Sequence, residues 1–314
     1  MTINIKVSER LAFLDILRIF AFVSVLIGHK FYDILDGLSK NEASHLTLKA
    51  FVDIVKTACW GGGTGVVVFF LISGYIITLV LETENTNTFL IKRIFRIYPL
   101  FISAVVLEAI FGHLLNGTPY PAISVWIPQL LLIGDFFGTP YALSGVEWTL
   151  RIEVLFYAVM SALKYVGLIR NSRFLPLVYL LIVALLQIAK PFPHQQGFGY
   201  GYVTLYLPFL FLGSCIFLME RKKIGKELGL LCITYIFFSY LYFDSIISPS
   251  SKESHFAALA CTIFFALWLI RLNLKEYLLI AFLSELTYSV YLFHNWLWAP
   301  IYSAIKNYSI FESH

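Results

Sequence analysis

The first long apolar run of this 314-residue chain contains three ionisable side chains, Asp15, Arg18 and His29. A helix turns about 100° per residue, so Arg18 and His29 share one face and lie roughly 16 Å apart along the axis. Imidazole exchanges protons near neutral pH and guanidinium holds anions, so this face could carry a general base and an anion contact. The spacing fits equally well a structural Asp15–Arg18 ion pair at one membrane boundary, with His29 at the other.

Glycines mark the entry to the second apolar run and recur within it. Gly61-Gly62-Gly63-Thr64-Gly65 precedes the run, and Ser73-Gly74-Tyr75 lies inside it. Glycines at a helix entry allow close backbone approach and expose N–H donors. Ser73-Gly74 is also compatible with a simple packing notch between helices. No Lys-Ser/Thr follows the glycines, which excludes a Walker-type phosphate loop.

Two arginines begin the third apolar run. Arg93 and Arg96 are i, i+3 neighbours and can converge on one ligand. Paired guanidinium groups suit phosphate, which makes them candidates for an anionic co-substrate. Positive-inside anchoring of the helix explains the same two residues without a ligand.

Later runs add an acid and a group of aromatic residues. Glu153 lies about one turn inside the run that begins at Trp148, so it needs a partner or a wet cavity. Tyr288, Tyr291 and His294 fall at i, i+3 and i+6, on roughly one helix face. An aromatic belt with a hydrogen-bonded histidine would give the same pattern.

The composition sets the environment in which these residues act. Charged residues make up only 13% of the chain, with 23 Lys+Arg and 19 Asp+Glu for a net charge of +4, while Ala, Val, Ile, Leu, Met, Phe, Trp, Tyr and Cys make up 59%. With a mean hydropathy of +0.79, the chain has more apolar surface than a soluble core can bury. The composition therefore indicates an integral membrane protein and excludes a disordered chain, a disulfide scaffold and a nucleic-acid-binding module.

The apolar runs are long and continuous, which favours spanning helices over a barrel. We predict an all-α, polytopic transmembrane bundle of nine or ten helices in a single domain, residues 1–314. The nine predicted spans are 11–29, 64–82, 94–113, 148–168, 174–190, 202–219, 228–243, 256–271 and 285–305. The stretch 122–138 is apolar but interrupted by Pro128 and Asp135, so it is a candidate re-entrant or interfacial segment.

The basic residues predict the orientation of the bundle. With the N-terminus in the cytoplasm, 14 of the 23 Lys+Arg lie at cytoplasmic ends and 8 on the outer side. No cleavable signal peptide is evident, because the first apolar run contains charges and no small-residue cleavage site follows it. The segments 30–63 and 112–146 are then outer loops, which we expect to shape the choice of substrate.

The cysteines are predicted to serve as small side chains that pack between helices. Three of the four lie inside predicted spans, and none has metal-ligand spacing: Cys59, Cys215, Cys232 and Cys261. We therefore expect small apolar roles for them, and no metal site.

Taken in order, these segments resemble the acyltransferase-3 family of membrane acyltransferases. The resemblance covers nearly the whole chain: Asp15-Ile-Leu-Arg18 with ten residues before His29, Val68-Phe-Phe-Leu-Ile-Ser73-Gly74-Tyr75, Arg93-Ile-Phe-Arg96-Ile-Tyr-Pro99, Trp148-Thr-Leu-Arg-Ile-Glu153 with Phe156-Tyr157, and Tyr288-Ser-Val-Tyr291-Leu-Phe-His294. Thr149 and Asn295 depart from the residues common at those positions. The length resembles stand-alone members that modify exopolysaccharide or O-antigen.

The resemblance implies transfer of an acyl group, acetyl by default, from cytoplasmic acyl-CoA to a hydroxyl of a cell-surface or lipid-linked carbohydrate. It implies His29, Arg18 and Glu153 as catalytic residues. Acyl-CoA would contact Arg93, Arg96, Arg18, Ser73 and Tyr75. Supporting roles would fall to Asp15, Trp148, Tyr157, Tyr288, Tyr291 and His294.

The expected setting is the bacterial cytoplasmic membrane, with the N-terminus in the cytoplasm. Acyl-CoA serves as co-substrate, and no tightly bound cofactor is expected. The expected partners are the carbohydrate acceptor and the lipid bilayer, without nucleic acid, and a homodimer is one candidate assembly. The alternative function is a polytopic transporter or flippase for a glycan or small solute, since transporters also carry intramembrane charges.

Overall fold

A computed structural model describes residues 11–42, 44–194, 199–247, 255–298 and 300–301. In these ranges the regular structure is helical and contains no strand, which confirms the predicted all-α class. The α-helices are α1 Ala12–Leu26, α2 Tyr32–Lys40, α3 Leu46–Cys59, α4 Gly63–Thr83, α5 Thr86–Asn116, α6 Ile123–Leu130, α7 Trp148–Tyr165, α8 Leu175–Ile188, α9 Tyr202–Glu220, α10 Lys226–Ile247, α11 His255–Leu269 and α12 Leu278–Phe293.

Eight of the nine predicted spans coincide with described helices. The last, 285–305, was placed wrongly, because α12 begins at Leu278 with Glu285 inside it and ends at Phe293, before a turn at 294–297. Among the described residues, five segments are long and apolar enough to cross a membrane: Ala12–Lys40, Leu46–Thr83, Thr86–Asn116, Tyr202–Glu220 and Lys226–Ile247. Three apolar helices are shorter: Ser172–Ile188, His255–Leu269 and Leu278–Phe293. The remaining predicted span corresponds to α7, which contains Arg151, Glu153 and Lys164. Positions 302–305 of the last predicted span lie outside the described residues, and the number of crossings stays a prediction.

The segment 30–63 is not the loop that its polar residues suggested. A π-helical turn, Ile27–Phe31, continues α1 into α2, and α3 runs back beside α2. Their polar sides meet, because Lys56 Nζ lies 2.6 Å from Asp36 Oδ1 and Ser39 Oγ donates to Asp53 Oδ1 over 2.5 Å. The segment predicted as a loop is therefore a pair of helices joined by polar contacts. Its charged residues interrupt the apolar pattern, so it contains no continuous apolar run.

The described residues fall into two compact units. The first draws on 1–91 and 152–285, and the second on 92–151 and 286–314. In the first unit α4 packs against α9, α1 and α11, and α9 also packs against α10 and α8. Helix α9 is buried along almost its whole length, so α4 and α9 form the centre of this unit.

The two central helices touch through their backbones. A Cβ atom on Gly74 would lie 1.8 Å from the carbonyl oxygen of Leu210, and one on Gly213 would lie 2.1 Å from that of Leu71. Each helix therefore supplies a glycine where the other's main chain passes. Small residues of this kind permit close helix packing in membrane proteins.

Buried thiols and hydroxyls complete the interior of the first unit. The four cysteines are buried and free, as expected for small apolar residues: Cys59, Cys215, Cys232 and Cys261. Ser214 Oγ lies 2.7 Å from Thr78 Oγ1 and 2.8 Å from the Tyr179 hydroxyl. These bonds satisfy three buried hydroxyl groups across α4, α8 and α9, as apolar surroundings demand.

Replacing Gly74 with alanine should destabilise the protein by about 2 kcal/mol, because the new methyl group must displace the Leu210 carbonyl. Gly37→Ala is the matched control, since a Cβ there has nothing within 4 Å. Thermal unfolding of the detergent-solubilised variants, followed by intrinsic fluorescence, gives the comparison. Equal melting temperatures for the two variants would contradict backbone contact between α4 and α9.

Candidate active site

Helix α1 holds Asp15 and Arg18 as an ion pair. Arg18 Nη1 lies 2.8 Å from Asp15 Oδ1, and the same oxygen accepts a 2.6 Å hydrogen bond from Ser284 Oγ of α12. Asp15 is buried, whereas 23% of the Arg18 side chain is exposed. The predicted pairing is therefore confirmed, and part of the guanidinium remains accessible to a ligand.

His29 lies in the π-helical turn that follows α1. The ring is exposed, and its Nε2 lies 3.2 Å from the carbonyl oxygen of Gly61. A carbonyl can only accept, so Nε2 carries the hydrogen and the lone pair of the neutral ring lies on Nδ1. Interruptions of this kind in α-helices are frequent at functional sites. The arrangement places at this turn an imidazole, the side chain that exchanges protons near neutral pH.

Glycines at the entry to α4 bring the main chain to His29. Gly61 and Gly62 have φ of +54° and +72°, in the left-handed region that favours glycine. A Cβ on Gly62 would lie 3.5 Å from His29 Nε2, and one on Gly28 would lie 2.4 Å from the Gly62 nitrogen. The predicted close approach is confirmed, and the group that this turn presents to His29 Nε2 is a carbonyl.

Glu153 has the partners that its position required. Its Oε1 accepts a 2.8 Å hydrogen bond from Ser73 Oγ and a 2.6 Å hydrogen bond from the Tyr157 hydroxyl. Both donors are neutral, so these bonds orient the carboxylate without cancelling its charge. The packing notch is confirmed for Gly74, which packs against α9. Ser73 binds Glu153, and its contact with acyl-CoA stays a prediction.

Glu220 engages the Tyr75 hydroxyl and was not among the predicted site residues. This last residue of α9 accepts hydrogen bonds from Tyr75 OH at 3.0 Å, Trp268 Nε1 at 2.5 Å and Arg271 Nε at 3.0 Å. The sequence feature that could have identified Glu220 is an acidic residue at the end of a long apolar run. The contact of Tyr75 with acyl-CoA stays a prediction, since its ring is buried and its hydroxyl is already bonded.

Arg93 and Arg96 lie on α5 in the second unit. Arg93 is buried and Arg96 is exposed, so their guanidinium groups have different surroundings. Tyr288 donates a 2.8 Å hydrogen bond to the carbonyl oxygen of Ile97 on the same helix. Joint binding of a phosphate by the two arginines stays a prediction.

The aromatic face of α12 is buried where it meets α7. Within the second unit, the Tyr291 hydroxyl lies 2.8 Å from Thr149 Oγ1, next to Trp148, which begins that helix. His294 is also buried, with Nδ1 2.7 Å from the Tyr291 carbonyl oxygen. A lipid-facing aromatic belt therefore does not describe Tyr291 or His294.

A buried charged cluster surrounds Arg151. Its guanidinium lies 2.7 Å from Asp135 Oδ1 and also binds Glu147, and all three side chains are at most 6% exposed. Burial raises the pKa of Glu147 to about 7, although neighbouring Arg151 acts in the opposite direction. The cluster ties the segment around Asp135, which interrupted the apolar stretch 122–138, to the first turn of α7.

The predicted site residues divide between the two units. The first unit contains Asp15, Arg18, His29, Ser73, Tyr75, Glu153 and Tyr157, and the second contains Arg93, Arg96, Trp148, Tyr288, Tyr291 and His294. Within the described ranges, no three His, Cys, Asp or Glu side chains are grouped so that they could hold a metal ion.

The chain is similar to known acyltransferases. The profile of a family described as "Acyltransferase domain" (Acyl_transf_3) matches residues 11–313. "Nodulation protein 10" of Rhizobium leguminosarum bv. viciae is 28% identical over 171 residues, which cover 48% of this chain and 43% of that protein. "Acyltransferase MdmB" of Streptomyces mycarofaciens is 30% identical over 103 residues, covering 31% and 27%.

A third relative is described as "Peptidoglycan O-acetyltransferase OatA" and comes from Listeria monocytogenes serovar 1/2a. It is 33% identical over 137 residues, which cover 37% of this chain and 22% of that protein. The chain thus spans less than half the length of these curated relatives. No solved structure gives a significant match.

Glu220→Ala should destabilise the protein by about 3 kcal/mol, because it leaves the Arg271 guanidinium, Tyr75 hydroxyl and Trp268 N–H without their shared acceptor. Glu227→Ala, an exposed acid in the first turn of α10, is the matched control. Both variants are compared with the parent by thermal unfolding in detergent. A melting temperature for Glu220→Ala equal to that of the control would contradict this role.

Proposed function

The chain belongs to the acyltransferase domain family Acyl_transf_3, and from this premise we propose that it is a membrane O-acyltransferase. It transfers a short acyl group, acetyl by default, from acyl-CoA to a hydroxyl of a carbohydrate. The observation that carries the proposal is on α1 and the turn that follows it. There a partly exposed arginine paired with Asp15 and an exposed histidine with a defined tautomer lie along one helical segment.

Each end of this segment has a distinct task. Arg18 binds an anionic or polar part of acyl-CoA through the portion of its guanidinium that Asp15 leaves exposed. His29 lies roughly 16 Å further along the axis, a distance that the pantetheine arm of acyl-CoA can bridge. The thioester thereby reaches the His29 imidazole while the nucleotide part of acyl-CoA remains on the Arg18 side.

The reaction is a general-base-catalysed acyl transfer. The His29 imidazole takes the proton of a sugar hydroxyl as the hydroxyl oxygen attacks the thioester carbonyl. The C–S bond then breaks, the ester forms, and the imidazolium returns the proton to the CoA thiolate. Glu153, held by Ser73 and Tyr157, adds an acidic group to the proposed site, at a point ten residues along α4 from Gly63 and so away from the turn that contacts His29. Acyl-CoA is consumed as a co-substrate, and no resident cofactor takes part.

Charge distribution supports the orientation. The excess of Lys and Arg at one set of helix ends favours a cytoplasmic N-terminus in a bacterial cytoplasmic membrane. Acyl-CoA then enters from the cytoplasm near Arg93 and Arg96, and the acceptor lies towards the outer side.

The names of the relatives guide the choice of acceptor. One of them is described as a peptidoglycan O-acetyltransferase, which favours acetyl transfer to a carbohydrate here as well. The acceptor we propose is a surface or lipid-linked glycan, such as exopolysaccharide or O-antigen. Neither nucleic acid nor a second protein is needed for the reaction, and a homodimer is compatible with it.

Comparison of surface glycans from the native bacterium with and without this protein tests the function directly. We expect one O-acyl substituent, identified by NMR and mass spectrometry, to disappear when the protein is absent. A glycan that keeps all its O-acyl groups but accumulates inside the cell would instead support a transporter or flippase.

His29→Ala should lower acyl transfer at least about 100-fold at unchanged protein level, because the general base is lost. Transfer of label from radioactive acetyl-CoA to the glycan fraction of native membranes measures the rate. His194→Ala is the matched control, since His194 is exposed and lies outside the helices. Retention of full activity by His29→Ala would overturn the mechanism.

Arg93→Ala and Arg96→Ala should each raise the KM for acetyl-CoA about tenfold, since each removes a charged contact to the donor. We expect kcat to change less, because neither residue touches the reacting atoms. Arg170→Ala removes an exposed arginine elsewhere and serves as the control. An unchanged KM in both variants would mean that these arginines anchor the helix only.

A further inference from the structure

Ser284 is a buried residue in the first half of α12, with 5% of its surface exposed, and it carries a hydroxyl. It is separated by 269 positions from Asp15, yet its Oγ donates a 2.6 Å hydrogen bond to Asp15 Oδ1. Ser284 has no role in the reaction described above. Its hydroxyl nevertheless touches both members of the α1 ion pair.

The three side chains share one acceptor atom. Arg18 Nη1 and Ser284 Oγ both donate to Asp15 Oδ1, at 2.8 and 2.6 Å. Arg18 Nη1 is also 3.5 Å from Ser284 Oγ, where a lone pair of the hydroxyl can accept. Ser284 therefore acts as donor to the carboxylate and as a weaker acceptor for the guanidinium.

We propose that Ser284 is a positioning residue that fixes Asp15, and through it Arg18, in the orientation that binds the acyl donor. The proposal rests on the proposed function, because it assigns a role in binding the donor that function requires. Ser284 does not touch the substrate. It acts on the buried side of the ion pair, while the exposed part of Arg18 faces the ligand.

The physical reason is the freedom that Arg18 would otherwise have. An arginine loses much rotamer entropy when it is held in one geometry, and a ligand that must order it binds less tightly. A carboxylate fixed by two donors presents a stationary partner to the guanidinium. The bond from Ser284 also draws on the charge of Asp15 Oδ1, so the carboxylate competes less with an anionic ligand for Arg18.

The experiment compares Ser284→Ala with Ser284→Thr in native membranes, with radioactive acetyl-CoA as the donor. We expect Ser284→Ala to raise the KM for acetyl-CoA about tenfold with kcat within about twofold, as the loss of one buried hydrogen bond implies. Ser284→Thr keeps the hydroxyl and should restore the KM to within about threefold of the parent. Ser161→Ala is the matched control, because it removes another buried hydroxyl from the same unit.

A double-variant cycle tests whether Ser284 acts through Asp15. In an Asp15→Ala background, Ser284→Ala should raise the KM by less than about twofold, since the oxygen that accepts its hydrogen bond is gone. If Ser284 had only a structural role, Ser284→Ala would lower the melting temperature or kcat equally with and without the Asp15 side chain.

The outcomes separate the two proposals. Turnover by the parent, together with an unchanged KM in Ser284→Ala, overturns the positioning role and leaves the function intact. Additive effects of Ser284→Ala and Asp15→Ala also overturn the positioning role. No acetyl transfer by the parent under conditions where the glycan carries O-acyl groups overturns the proposed function, and the positioning role with it.

Discussion

Helix α4 lies so close to its neighbours that backbone carbonyls occupy the places where Cβ atoms would be. A Cβ on Gly65 would lie 2.3 Å from the Ala21 carbonyl of α1, and one on Gly74 would meet the Leu210 carbonyl of α9. This spacing governs the rest of the first unit. The same helix carries Ser73 to Glu153, and the glycine turn before it carries the carbonyl that binds His29. A larger residue at either contact would displace a helix and its polar groups together.

Partners for charge are the second requirement of an apolar environment. Uncompensated ionisable groups are expensive there, so each must find donors, acceptors or an opposite charge. Asp15 is bound by an arginine and a serine, Glu153 by two hydroxyls, and Glu220 by three donors from other helices. These three acids thus lie where helices are joined, and candidate chemistry and structural stability depend on the same contacts.

Helix positions were predictable because hydropathy is a local property. Runs of apolar residues located eight of the nine predicted spans on described helices and the last one only in part, and the charges within these runs singled out Asp15, Arg18 and Glu153. The segment 30–63 was misassigned because its two helices pair through polar side chains, as in the Lys56–Asp36 and Ser39–Asp53 contacts, and no short window of sequence displays such a pairing. The sequence also left open whether Ser73-Gly74 is a packing notch or part of the site, because their neighbours lie far away along the chain. One residue faces Glu153 and the other faces α9.

The sequence by itself determined a membrane-embedded helical protein, the positions of most of its long apolar helices and the acyltransferase family motifs. All of these depend on residue types and short spacings. Tertiary structure alone decided which groups complete the site. Ser284 reaches Asp15 across 269 positions, Glu220 reaches Tyr75 across 145, and the Gly61 carbonyl reaches His29 across 32. Such partners lie far apart along the chain, and they meet only because packed helices bring distant side chains and carbonyls within hydrogen-bonding distance.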